Sequence, residues 1–214
     1  MRIDRRDALL VIDLQHDFLP GGALAVREGD RVIAPIAELA CRFATVVATQ
    51  DFHPLRHVSF ASTHGRPPFT PFTVEGRERM LWPDHCVAGT RGAALHPSLP
   101  DARVTLILRK GTRRAIDSYS AFREDADAGG ERASTGLGAW LKAREVGRVY
   151  LTGLARDYCV KASALDAAAE GFETIVLDDL TREIDPARRA ADDRAFAEAR
   201  VRVIDSRALE GGAA

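Results

Sequence analysis

Six short runs of aliphatic and β-branched residues, each followed by a polar or helix-patterned stretch, constrain this chain more than any other feature. They are Ala8–Asp13, Thr45–Thr49, Val104–Arg109, Val149–Thr152, Thr174–Leu177 and Val201–Ile204. The runs are continuous rather than alternating, as in strands covered on both faces. Helical patterns run over Arg31–Arg42, Thr135–Arg144, Tyr158–Glu170 and Pro186–Ala199. In the first of these, Val32, Ile33, Ile36, Leu39 and Ala40 share one side. Strands alternating with helices predict right-handed βαβ units. The expectation is a three-layer α/β/α fold on a mostly parallel central sheet, a single domain over residues 1–214.

Composition removes several functional classes. With 30 basic and 31 acidic residues the formal net charge is −1, so there is no electrostatic footprint for nucleic acid or for an anionic membrane surface. No apolar run approaches the ~18–20 residues of a membrane span. The stretch Ala8–Ile12 is too short and too soon interrupted for a signal peptide. Cys41, Cys86 and Cys159 are odd in number and widely spaced, which suits neither a disulfide framework nor a CxxC zinc site. A reducing cytoplasm is expected. Cys41, within a helix pattern, and Cys86, in a loop, are expected to be packed in the core. A nucleotide-binding doubly wound protein would need a Gly-rich loop after its first strand, and Asp13–Phe18 is not one.

The segment at about 51–100 breaks the regular pattern. It is rich in proline, and between residues 53 and 85 it holds His53, His57, His64 and His85, four of the six histidines. A long irregular segment inside a compact domain is usually functional. In open parallel sheets, ligands bind at the carboxyl ends of the strands. Reactive side chains stand at four of those ends: Asp13, Asp51 with His53, Lys110, and Cys159.

Each has two readings on its own. Cys159 opens a helix, with Asp157 a plausible N-cap. There the helix dipole and unpaired N–H groups favour thiolate and offer an oxyanion hole; alternatively it is a packed structural cysteine. Lys110 ends an apolar strand. Either its stem snorkels, or it is buried and needs a carboxylate, for which Asp13 is a candidate. Asp13 reads equally as a cap or turn residue. Asp51 and His53, two apart on extended chain, share a face. With one or two further histidines they suit Zn²⁺, Mn²⁺ or Fe²⁺; otherwise they are solvated loop residues. His16, His64 and His96 read as non-ligands.

Seven stretches carry a resemblance. They are Val11-Ile-Asp-Leu-Gln-His-Asp-Phe18, Thr49-Gln-Asp-Phe-His-Pro54, His57-Val-Ser-Phe-Ala61, Leu81-Trp-Pro-Asp-His-Cys-Val87, Arg109-Lys-Gly111, Asp117-Ser-Tyr-Ser-Ala-Phe122 and Gly153-Leu-Ala-Arg-Asp-Tyr-Cys-Val160. In these residues the chain resembles the nicotinamidase branch of the isochorismatase-like cysteine hydrolases, in family order and over nearly its whole length. The resemblance implies hydrolysis of nicotinamide to nicotinate and ammonia through a cysteine thioester, in NAD salvage, with pyrazinamide as a further substrate. It implies Asp13 as general base, Lys110 as its cation and Cys159 as nucleophile. The Ala155 and Cys159 N–H groups would form the oxyanion hole, behind a cis peptide. Asp51, His53 and His85 would bind one divalent transition metal ion, and His57 matches a fourth ligand of some relatives. Phe18, Trp82 and Tyr119 would line the ring pocket, with Leu24 beside them.

The pattern is departed from at Arg156, often Thr in relatives, at Arg114 and at His16, often Asn. These bear on substrate access. The alternatives are another amide or carbamoyl hydrolase of the same superfamily, and an inert binding module on the same scaffold. The oligomeric state is left open, a homo-oligomer included.

Overall fold

The computed structural model describes residues 1–74 and 76–210. Its strands are β1 (Asp7–Ile12), β2 (Thr45–Asp51), β3 (Thr70–Val74), β4 (Arg77–Leu81), β5 (Leu106–Lys110), β6 (Arg148–Leu154), β7 (Glu173–Arg182) and β8 (Arg202–Ile204). Six of them form one sheet in the order β5-β2-β1-β6-β7-β8, and each pairing is parallel. The helices are α1 (Ile33–Ala40), α2 (Leu137–Ala143), α3 (Lys161–Ala169) and α4 (Arg189–Glu198).

Strand β1 shows why the runs are continuous. All six of its residues are buried, and Ala8–Ile12 alternate between two cores. Leu9 and Val11 pack with Ile36 and Leu39 of α1. Ala8, Leu10 and Ile12 pack with Leu141 of α2, Ala164 of α3 and Phe196 of α4. A sheet with helices on both faces gives each of these positions an apolar neighbour, so the run is continuous and does not alternate with polar residues. The result is the three-layer arrangement expected from the pattern.

Several elements differ from the sequence expectation. The first helix is shorter than Arg31–Arg42, because Gly29–Val32 form a 3₁₀ turn ahead of it. Cys41 is exposed, at the C-cap of α1, and not in the core as expected; it falls one residue past the buried stripe that ends in Leu39 and Ala40. The irregular segment contains the antiparallel hairpin β3–β4, whose prolines and charges hide the strand pattern. Strand β7 runs on to Arg182 instead of ending near Leu177. It bulges against β6, with Leu151 opposite Val176 but Gly153 opposite Thr181. The polar pair Asp178-Asp179 looks like a loop in sequence and lies in that bulge.

This topology places the carboxyl ends of β5, β2, β1 and β6 side by side. Gly153 is required there: with φ +100 it lies against Ile12, and a Cβ would collide with the Ile12 carbonyl. No helix among the described residues is long and apolar enough to cross a membrane.

Candidate active site

Asp51 and Lys110 are register partners on adjacent strands, so their side chains leave the sheet on the same side. Lys110 is buried. Its Nζ lies 2.5 Å from Asp51 Oδ1, 2.8 Å from Asp13 Oδ2 and 3.4 Å from Cys159 Sγ, and it donates to the Ser118 carbonyl at 3.2 Å. Four distant segments therefore meet at one ammonium.

Asp13 follows β1 with φ +49, a left-handed conformation that the short Asp side chain tolerates. Thr49 latches it: the Asp13 N–H donates to Thr49 Oγ1 at 3.0 Å, and that hydroxyl donates to Asp13 Oδ1 at 2.6 Å. Oδ2 is left for Lys110. Buried Gln15 ties the two strand ends together. It donates to the Asp51 carbonyl and accepts from the Asp51 N–H, both at 2.8 Å.

One ammonium thus serves two carboxylates. Burial raises the Asp13 carboxyl pKa against the pull of Lys110, and Asp51 adds to the rise. Burial also acts to raise Asp51, but Lys110 and His53 reverse this and hold it well below the usual carboxylate range. Burial pushes the Cys159 thiol well up; Lys110 opposes that, while Asp13 and Asp51 reinforce it. Lys110 thus acts toward thiolate, the direction expected from the sequence, while burial and the two carboxylates act against it. A second uncompensated negative charge here is unfavourable.

Cys159 lies in a π-helical turn, Arg156–Val160, between β6 and α3. Asp157 does not cap this turn. Its carboxylate accepts from the N–H groups of Ile184 at 3.0 Å and Asp185 at 2.9 Å, a long-range tie that local sequence could not show. The Leu154–Ala155 peptide is cis.

Beside Lys110 lies a second cluster. Asp51 Oδ2 is 3.5 Å from His53 Nε2 and 3.9 Å from His85 Nε2, and all three residues are buried. His53 Nδ1 donates to the Gly111 carbonyl at 3.0 Å, and His85 Nδ1 to the Pro83 carbonyl at 2.8 Å. These bonds leave both Nε2 lone pairs toward Asp51. Gly111 has φ +63, and any side chain there would strike the His53 ring. Burial, then His53, lowers the His85 pKa to about 4, so its ring is neutral and able to ligate. Metal–ligand bonds of ~2.0–2.2 Å reach ligand atoms so spaced with only slight adjustment. Asp117 lines the same cavity, and its buried Oδ2 has no hydrogen-bond partner. An orphaned carboxylate oxygen in the cavity that the three ligand residues share fits a site built for a divalent cation.

His57 is buried, but both its nitrogens are engaged, with Ser59 Oγ at 2.8 Å and the Ile116 carbonyl at 3.1 Å, and its ring stacks on His53. It stands outside the Asp51/His53/His85 group. His64 bonds the Val58 carbonyl, while His16 and His96 face each other at a separate cleft.

A narrow cavity lies over these residues. Phe18, Leu24, Trp82 and Tyr119 line it, together with Tyr158 and Ile184. Trp82 Nε1 donates to Tyr119 Oη at 3.0 Å, and the Trp82 ring meets Tyr158 edge-on. Asp117 and Tyr158 stand within the quoted motifs, but their place in the wall depends on long-range packing that sequence does not show. Ile184 follows the misjudged end of β7 and had no signal. Neither Arg114, Arg156 nor His16 lines the cavity. Arg114 bonds the Arg56 carbonyl, and Arg156 turns away.

The Isochorismatase domain model matches residues 7–208. A nicotinamidase of Acinetobacter baylyi is 47% identical over 179 residues, 83% of this chain and 82% of that protein. The structure of a nicotinamidase pyrazinamidase from Acinetobacter baumanii superposes with a TM-score of 0.90 at 41% identity, covering 95% of this chain and 98% of the other. A pyrazinamidase of Pyrococcus horikoshii in complex with zinc gives a TM-score of 0.72 at 36% identity, covering 94% and 99%.

Proposed function

The chain belongs to the isochorismatase domain family, and from that premise we propose that it is an amidohydrolase converting nicotinamide to nicotinate and ammonia through a thioester on Cys159. In this reading it serves NAD salvage in the cytoplasm, takes pyrazinamide as well, and residues 1–214 act as one hydrolase domain. The observation that carries the proposal is the Lys110 ammonium, held between Asp13 and Asp51 and 3.4 Å from the Cys159 thiol. The nicotinamidase relatives support the substrate.

Asp51, His53 and His85 would hold a divalent ion, Zn²⁺, Mn²⁺ or Fe²⁺, whose charge would orient the pyridine nitrogen. Phe18 and Trp82 pack the ring, with Tyr119 behind Trp82, and bring the amide carbon to Cys159. Sγ bonds to that carbon as the thiol proton passes to Asp13 Oδ2. The raised Asp13 pKa suits a group that must both take and return a proton. The Ala155 and Cys159 N–H groups hold the oxyanion, each such donor typically worth ~2.7–4 kcal/mol. Asp13 gives its proton to the amide nitrogen, the C–N bond breaks and ammonia leaves. Water, deprotonated by Asp13, then displaces sulfur, releasing nicotinate and restoring the thiol.

The test is ammonia release from nicotinamide by protein of measured metal content, with a chelator control. Release is expected, lost on chelation and restored by added ion; metal-loaded protein that releases none overturns the proposal. His53→Ala should lose the metal and weaken nicotinamide binding, seen by elemental analysis and calorimetry. Normal metal content in that variant would mean the ligand set is wrong. Asp13→Asn should stall before acylation, so mass spectrometry of a nicotinamide-treated sample should find no acyl-enzyme. Accumulated thioester would contradict Asp13 as the first base.

A further inference from the structure

The turn that carries Cys159 is held from behind by charge. Arg156, Asp157, Tyr158 and Lys161 all reach the stretch 178–193, from the bulge of β7 into α4. Asp157 accepts the Ile184 and Asp185 N–H groups, Arg188 donates to Tyr158 Oη at 2.9 Å, and Lys161 pairs with buried Asp192 at 2.5 Å. Arg156 is the deepest of these, only 1% exposed. Its Nε donates to Asp178 Oδ1 at 2.8 Å and its Nη2 to Asp193 Oδ1 at 2.5 Å, with the guanidinium over the Phe196 ring.

The geometry makes Arg156 the anchor of the turn. Ala155 and Cys159 line the cavity, whereas Arg156 points the other way, between β7 and α4. A buried guanidinium stripped of its carboxylates is costly, and its charge-assisted bonds are short and directional. Shifting the turn would therefore break two strong contacts at once. We propose that Arg156 is a positioning residue: by locking its turn to Asp178 and Asp193, it fixes the Cys159 thiol and the Ala155 and Cys159 N–H groups against the substrate carbonyl. This rests on the amidohydrolase reading of the same site. It touches no reacting atom and acts through its neighbours.

The test compares the parent, Arg156→Met, Arg156→Lys and Asp193→Asn as metal-loaded full chains, each assayed on nicotinamide well below its own melting temperature. Methionine keeps the apolar stem and loses both ionic contacts. Since ångström-scale misplacement costs up to ~100-fold in rate, Arg156→Met should lower kcat on the order of 10–100-fold. KM and metal content should stay near parental values, because the ring pocket and ligands are untouched. Lysine, which keeps one contact, should recover part of the rate. Asp193 is half exposed, so Asp193→Asn should fold and lose on the order of 3–10-fold in kcat. A merely structural role would lower the melting temperature and leave kcat unchanged in folded protein. Parental kcat in folded Arg156→Met overturns the proposal, as does a loss carried by KM alone. If Arg156→Met does not fold, Asp193→Asn decides, and parental kcat there overturns it. A parent that releases no ammonia rejects the amidohydrolase reading, and this inference falls with it.

Discussion

A Cys159→Ala protein is expected to fold, to keep its metal and to release no ammonia from nicotinamide. The side chain lost is small. Its sulfur is outside the Asp51/His53/His85 group; it lies within 4.8 Å of carboxylate oxygens of Asp13 and Asp51, both of which pair with Lys110. Lys110 keeps Asp13, Asp51 and the Ser118 carbonyl, so no buried charge is stranded. The chemistry, by contrast, has no substitute nucleophile. Cys86 is also buried, burial pushes its thiol well up, and it does not line the cavity. Loss of a covalent nucleophile costs on the order of 10⁶-fold in kcat where it has been measured in hydrolases of this logic. Ammonia release by metal-loaded variant, monitored beside its circular dichroism and metal content, is the check. Turnover within tenfold of the parent would reject Cys159 as nucleophile.

Lys110→Met should fail in both stability and activity. The substitution keeps most of the stem and removes the charge from between two buried carboxylates. Breaking a buried pair by removing one partner costs roughly 3–5 kcal/mol. The loss should depend on pH in a defined direction. Burial already raises Asp13 above its ordinary value, and Lys110 is the main opposing influence. Without Lys110 the folded-state pKa climbs further, so the native state binds more protons than the unfolded chain. Its stability then falls as pH rises above the unfolded carboxylate value of ~3.9. Urea melts of parent and variant should therefore be closest at the acid end and diverge toward neutral pH. A gap that is constant with pH would mean that the carboxylates do not depend on Lys110.

Much of this architecture was legible because buried parallel strands write themselves as unbroken aliphatic runs. Ala8–Ile12 could be little else, and once the strands were in order their carboxyl ends named Asp13, Asp51, Lys110 and the Cys159 turn. The second partner of Lys110 was not legible. Asp51 reads as a metal ligand from its spacing to His53, and only the pairing of β2 with β5 puts it opposite Lys110. The hairpin β3–β4 was hidden because its residues are largely half-buried or exposed and carry charge, so burial imposed no pattern on them. Asp157 looked like a cap because local rules favour Asp there. Its true partners lie 27 and 28 residues away. Cys41 was misplaced by a single helical position, a margin within which periodicity alone does not discriminate.

The shared ammonium has a consequence beyond the reaction steps. Whatever neutralises Asp51 releases counter-charge to Asp13, and by thermodynamic reciprocity the state of Asp13 bears on what Asp51 will accept. Cation affinity at Asp51 and proton affinity at Asp13 are therefore linked traits in this chain. Selection acting on either one, in an organism starved of a particular trace element for instance, would drag the other along with it.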